Sequence, residues 1–363
     1  MISRRLLRIK IFQILYAYWS HTQNDKTQEV EVAGEVLSTQ KAKRAAFYEP
    51  DVSMLNKPVK MLDFSIQKAN DLYFYLLLLL LDVKRYAESR IDLAKNKRLP
   101  TWDDLHPNTR FIDNAVIRQL ETCRTFRDYT DKHKLSWVNY PELIKNLYLN
   151  LTKSDYYNAY MNDEANHYEK DKDVLIEFFA NEPVESELFV QIMEEQSIFW
   201  NDDIDFILAY VIKTIKGMKN DREVELLCRS DENKEKENKD FACKLLTVSI
   251  QHYDEYENLI ERCTDNWDLE RIAFSDKIIM QMAINELIEF PTIPVNVTFD
   301  EYLELAKYYS TPKSSVFING LLDKILTDLN QEGKVVKTGR GLITTLYDRV
   351  ADSTGANNMS CSE

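Results

Sequence analysis

Between Gly34 and Gly217 the chain contains no glycine at all. So long a run lacks the residue that most readily takes the positive-φ positions of tight hairpin turns, and its richness in Leu, Lys, Glu and Tyr favours helices over turn-dense β structure. The expected fold class is therefore all-α. Within this run, Leu72 to Leu81 is uninterruptedly apolar between Asp71 and Asp82. That is about half the length needed to span a bilayer, so it reads as a buried helix segment and no membrane association is expected. At 363 residues and 44% hydrophobic content the chain has room for two domains and a sizeable core.

Charge is unevenly placed. The net charge is −14, which argues against a general polyanion binder. Yet Arg4, Arg5, Arg8 and Lys10 precede the first acid, Asp25. A basic tip on an acidic body suits one local anionic contact. It does not read as a signal peptide, because Lys10 interrupts the apolar run and no small-x-small cleavage site follows. The five cysteines and five histidines are scattered, without C-x-x-C or H-E-x-x-H spacing. They predict reduced cytosolic thiols, no metal and no cofactor.

In chain order, Ser3 is positioned to cap a helix from Arg4 to about Ser20. At 100° per residue Arg4, Arg5 and Arg8 share one arc, predicted to be exposed on a rigid scaffold where guanidinium groups can meet phosphates. Residues 21–60 read as an irregular connection. A long helix follows from Phe64 to about Lys97, broken by Trp102–Leu105, then a helix from about Arg110 to Thr125 and segments near 140–160, 170–180, 185–200 and 202–218. The charge run Arg229 to Lys239 reads as a surface loop or boundary, or else as the exposed end of a flanking helix. One helix is expected from Asp240 to about Cys263, and an amphipathic one from Ala273 to Glu289, ended by Pro291 and Pro294. Thr298 with Glu301 suggests a capping box for Phe299 to Tyr309. Thr311-Pro312 suggests the start of a last helix, Lys313 to about Leu329. From Gly333 a mobile tail is expected, with Lys334, Lys337 and Arg340 near its start.

The last helix has two features of a site. Gly320 lies within an apolar helical run, where it costs roughly 1 kcal/mol against Ala, and it is expected to admit a neighbouring helix at close range. Phe317 and Asn319 lie near the helix start, where unpaired N–H groups can meet an anion. A packed helix pair crossing at the glycine is the competing reading, with Phe317 a core aromatic.

Asn266-Trp267-Asp268-Leu269-Glu270-Arg271-Ile272, Asp276-Lys277, Ala283 to Leu287, Ile293-Pro294, Glu304 to Lys307 and Phe317 to Asp323 together resemble the C-terminal half of the NusB family of bacterial transcription antitermination factors. Arg4-Arg5, Arg8 and Gln13 to Tyr16 are similar to that family's arginine-rich first helix. The resemblance divides the chain into a basic N-terminal helix at 1–20, an unmatched helical insertion at 21–239, a C-terminal helical bundle at 240–330 and a tail at 331–363. It implies a non-enzymatic, cytoplasmic RNA-binding protein that pairs with NusE, a small-subunit ribosomal protein. It further implies binding of boxA-type single-stranded RNA of ribosomal RNA leaders and a place with elongating RNA polymerase. By the same resemblance Arg4, Arg5 and Arg8 would contact phosphates and Phe317 a base. Val316 departs from the family, which commonly has a basic residue there; Lys313, one turn earlier, is the candidate to replace it.

Two other classes compete. A protein-only helical scaffold would use its arginines for solubility. An RNA-binding part of a ribosomal RNA methyltransferase would need a glycine-rich strand–turn–helix and a catalytic Cys loop, and neither pattern occurs.

Overall fold

The computed structural model describes the backbone of residues 3–32, 52–163, 167–197, 199–220, 222–226, 232–264, 272–311 and 313–342. The fold is all-α, and no strand occurs among the described residues. The helices are α1 (Arg4–Val32), α2 (Val52–Lys95), α3 (Trp102–Leu105), α4 (Ala115–Thr122), α5 (Arg124–His133), α6 (Pro141–Leu151), α7 (Asp155–Asn162) and α8 (Tyr168–Asn181). They continue with α9 (Glu187–Gln196), α10 (Ile204–Gly217), α11 (Glu232–Gln251), α12 (Tyr253–Cys263), α13 (Phe274–Glu289), α14 (Val295–Tyr309) and α15 (Ser314–Gln331), followed by a 3₁₀ turn at Gly339–Leu342. The described residues form two compact units, one from Phe64–Lys236 and one from Ser3–Asp63 with Glu237–Glu363.

In the first of these units the apolar run from Leu72 to Leu81 is buried on every side, as its composition predicts. Phe74 stacks on Tyr129 of α5 at 3.9 Å, and the Tyr73 hydroxyl pairs with Thr214 of α10 at 2.8 Å. Short polar caps end the surrounding helices cheaply. The Asn114 side chain accepts from the N–H groups of Val116 and Ile117, and Ser154 and Ser186 cap α7 and α9. The segment Trp102–Leu105, expected only to break a helix, forms a short turn closed by a Thr101/Asp104 capping box.

In the second unit α13 is the axis. Asp276 and every residue from Ile278 to Leu287 are buried, so α13 is enclosed on all faces rather than amphipathic as its spacing suggested. Ile279, Met282, Ile284 and Leu287 contribute roughly 1.5–3 kcal/mol each on burial. Of its buried polar side chains, Gln281 donates to the Tyr253 carbonyl and Asn285 to the Gln281 carbonyl, while Asp276 Oδ1 and Asn285 Oδ1 have no hydrogen-bond partner among the described residues.

Several expected boundaries shift. α1 runs on to Val32 and α2 begins at Val52, so much of the supposed irregular stretch is helical. The helix expected from Asp240 to Cys263 is two helices that break at His252, whose ring pairs with Glu255. The charge run is, from Asn233 on, part of the largely exposed start of α11. Thr298 makes no capping box, because its hydroxyl turns inward to Glu286 at 3.1 Å and α14 already starts at Val295. α15 starts at Ser314, with Lys313 as its N-cap residue.

Gly320 is a further correction. It is exposed, and a Cβ built on it meets nothing within 4 Å, so among the described residues no helix crosses there. Gly320→Ala should therefore raise stability by about 0.5–1 kcal/mol through helix propensity alone. A urea denaturation showing a loss instead would mean that an unseen contact needs the glycine.

The close approach belongs to Gly341. Its Cβ position is occupied by the Pro291 carbonyl, and Thr338 N–H donates to that same carbonyl at 2.9 Å. Lys337 Nζ donates to the Phe290 carbonyl at 3.2 Å. Residues 337–341 of the expected tail thus lie against the turn after α13. The remainder of the expected tail, 343–363, lies outside the described residues.

Candidate functional site

The first two turns of α1 send three arginines in three directions. Arg8, expected on an exposed arc, is 2% exposed and lies in the core. Its Nε and Nη2 donate to the two carboxylate oxygens of Glu286 at 2.8 and 2.7 Å. Thr298 and Tyr302 donate to the same carboxylate at 3.1 and 3.0 Å. Burial works against the Arg8 charge, but the hydrogen bonds and charge of Glu286 outweigh it and raise its pKa. The enclosed Tyr302 hydroxyl is pushed well above its ordinary pKa by burial and then by Glu286. The helical arc failed as a guide because α11, α13 and α14 surround this end of α1, leaving only part of its circumference in solvent. Lys10 is likewise buried.

Arg5 is the exposed member. It forms a two-bond pair with Glu301 of α14 at 3.0 and 3.2 Å, which raises its pKa while its side chain stays 43% exposed. A pair so exposed is worth about 0–1 kcal/mol and is open to exchange for another anion. Arg4 is half-buried, bonded to Asn238 at 3.3 Å and set over the Phe241 ring at 5.0 Å. Burial, then the like charges of Arg8 and Arg340, lower its pKa.

Arg340 was placed by sequence reasoning in a mobile tail. The Pro291–Gly341 contact brings it within electrostatic reach of Arg4, and among the described residues it is exposed and without an ion-pair partner. The only signal in the sequence was the pair Gly339 and Gly341 flanking it.

Lys313 is exposed at the N-terminus of α15. A cation at the positive end of a helix dipole is unfavourable by itself and becomes favourable when an anion is brought in. Phe317, one turn on, is half-buried. Between α14, α15 and Arg5 runs an open groove of about 570 Å³, lined by Arg5, Asp300, Glu304, Lys307, Val316 and Asn319 among others. The structure thus brings Arg5 and Val316 to one groove and Arg340 within reach of Arg4, while Arg8 is withdrawn into the core. Phe317 does not line the groove.

No group of three or more His, Cys, Asp or Glu side chains among the described residues could hold a metal ion. No helix of the described residues is long and apolar enough to cross a membrane.

A family model described as NusB family matches residues 204–327, which contain α10 to most of α15. The matched stretch begins upstream of residue 240, where the sequence resemblance had placed the bundle. The transcription antitermination protein NusB of Salinibacter ruber is 43% identical over 117 residues, 32% of this chain and 73% of that protein. The proteins of the same name from Chloroherpeton thalassium and Thermodesulfovibrio yellowstonii are 40% and 39% identical, over 29% and 27% of this chain. The chain spans half of the first of these and 64% of the second. No solved structure matches.

Proposed function

This chain belongs to the NusB family, and we propose on that premise that it is a non-catalytic, RNA-binding transcription antitermination factor. In this reading it acts in the cytoplasm, pairs with the small-subunit ribosomal protein NusE, binds boxA-type single-stranded RNA of ribosomal RNA leaders and joins elongating RNA polymerase. The observation that supports the RNA contact is Arg340 held within electrostatic reach of Arg4, with Arg5 exposed at the next position of α1. Guanidinium groups on ordered backbone supply salt-dependent phosphate contacts, and a half-buried aromatic such as Phe317 supplies stacking for an unpaired base. Lys313 takes the cationic role that Val316 leaves empty. Arg8 supports the site by fixing α1 on α13 and is not itself a phosphate ligand.

A second reading, a protein-only scaffold, is favoured by the partners that Arg4 and Arg5 already have in Asn238 and Glu301. Filter-binding titration of boxA-type single-stranded RNA, with and without NusE, tests the two. Binding that falls with salt and tightens with NusE is expected; no RNA binding under either condition leaves the scaffold. Phe317→Ala should cost about 1–3 kcal/mol of RNA binding, as lost stacking does. The same titration on that variant checks it, and an unchanged affinity would remove Phe317 from the site.

A further inference from the structure

The groove between α14 and α15 has a chemistry that the phosphate contacts do not use. Its lining holds two cations, Arg5 and Lys307, and two carboxylates, Asp300 and Glu304. Arg5 is engaged by Glu301, and Lys307 is ion-paired with Glu304. Both lining cations are charge-compensated, and of the two only Arg5, through its exposed pair, is assigned a phosphate above. The lining groups that remain open are Asp300, Ser315 and Asn319, none of which has a hydrogen-bond or ion-pair partner among the described residues. Beside them stand Leu303 and Val316, the latter 77% exposed.

A carboxylate, a carboxamide and a hydroxyl next to an apolar wall suit a flat, neutral ring with polar edges. Among the four RNA bases, guanine alone carries two adjacent donors, N1–H and N2–H, on its Watson–Crick edge. Two parallel hydrogen bonds from those donors fit the two oxygens of a carboxylate, as a guanidinium does. Cytosine and adenine offer one amino group beside an acceptor, and uracil one N–H between two acceptors, so each would set an acceptor against the carboxylate. The Asn319 amide can donate to guanine O6, and the ring can lie on Val316 and Leu303. We propose that this groove is a guanine-selective pocket, in which Asp300 reads the base and Val316 with Leu303 gives the ring an apolar surface. The proposal rests on the RNA-binding reading given above and adds the base it selects.

Two measurements test it on the full chain. The first compares single-stranded RNA oligonucleotides that differ at one position, guanosine against inosine, which lacks the N2 amino group. The parent protein should prefer guanosine by roughly tenfold, the usual worth of one hydrogen bond to a charged acceptor. Asp300→Asn should reduce that ratio to about one. The second follows backbone amide NMR shifts on adding guanosine or inosine alone. Guanosine should shift the amides around Asp300 and Asn319 in the parent and not in Asp300→Asn, and inosine should shift them far less. Salt-dependent RNA binding with equal affinity for the two oligonucleotides, or a preference that survives in Asp300→Asn, overturns the pocket and leaves the RNA-binding reading intact. Guanosine shifts in the groove without RNA binding would support the pocket and sink that reading. Neither guanosine shifts nor RNA binding would overturn both.

Discussion

Replacing Arg8 with alanine is expected to destabilise the protein by about 3–5 kcal/mol, far more than an exposed arginine would. The reason is what remains. Glu286 is fully buried, and without Arg8 its charge is left with only the hydroxyls of Thr298 and Tyr302. Glu286→Gln should be damaging for the mirrored reason, since the buried guanidinium would then have only Glu301, at 3.6 Å. Replacing both together, Arg8→Met with Glu286→Leu, should recover most of the loss, because no uncompensated charge stays behind. Urea denaturation of the four proteins reads all of this. A change within about 0.5 kcal/mol for Arg8→Ala, the usual range for surface substitutions, would return Arg8 to the exposed face first expected of it.

The second large effect lies in Phe64–Lys236. Trp137 is almost completely buried, stacks on Tyr75 at 3.8 Å and donates its indole N–H to the Tyr75 carbonyl at 2.9 Å. Tyr75 in turn donates to the Ser136 carbonyl and accepts from Gln196. Burial dominates the surroundings of its hydroxyl and pushes its pKa above the ordinary tyrosine value. Trp137→Ala opens a cavity in the middle of this arrangement and should cost about 3–5 kcal/mol. Chemical denaturation together with hydrogen exchange along α2 measures it. Unchanged protection at Tyr75 and its neighbours would mean that the indole is dispensable to this core.

Local patterns in the sequence carried the helices well and the long-range contacts poorly. The glycine-free run announced an all-α fold, and the apolar stretch from Leu72 to Leu81 announced its own burial. Prolines at 141, 291 and 294 mark real helix ends or starts. Arg8 and Glu286, by contrast, are 278 positions apart, and nothing in either neighbourhood says that they meet. An arc of arginines on a helical wheel looks the same whether it faces solvent or a buried carboxylate. Thr298 and Glu301 match a capping box, yet the buried Glu286 is the stronger acceptor for that hydroxyl. Gly320 drew attention as a crossing point, while the glycine that does admit another backbone closely is Gly341. Its role depends on the carbonyl of Pro291, fifty positions earlier in the chain, so local composition read it as tail. Arg340 was assigned to the tail for the same reason.

Arg4, Arg5 and Arg340 are expected to contact RNA phosphates while Arg8 holds the scaffold. The most direct measurement is the salt dependence of affinity for boxA-type single-stranded RNA, for the parent and for Arg4, Arg5 and Arg340 replaced together by alanine. Each phosphate contact on a single strand contributes a slope of about −0.7 in log affinity against log salt. The triple variant should therefore bind more weakly at low salt, with a slope shallower by about 2 and stability close to the parent's. Parent and variant lines that coincide, in a variant that remains folded, would contradict the account.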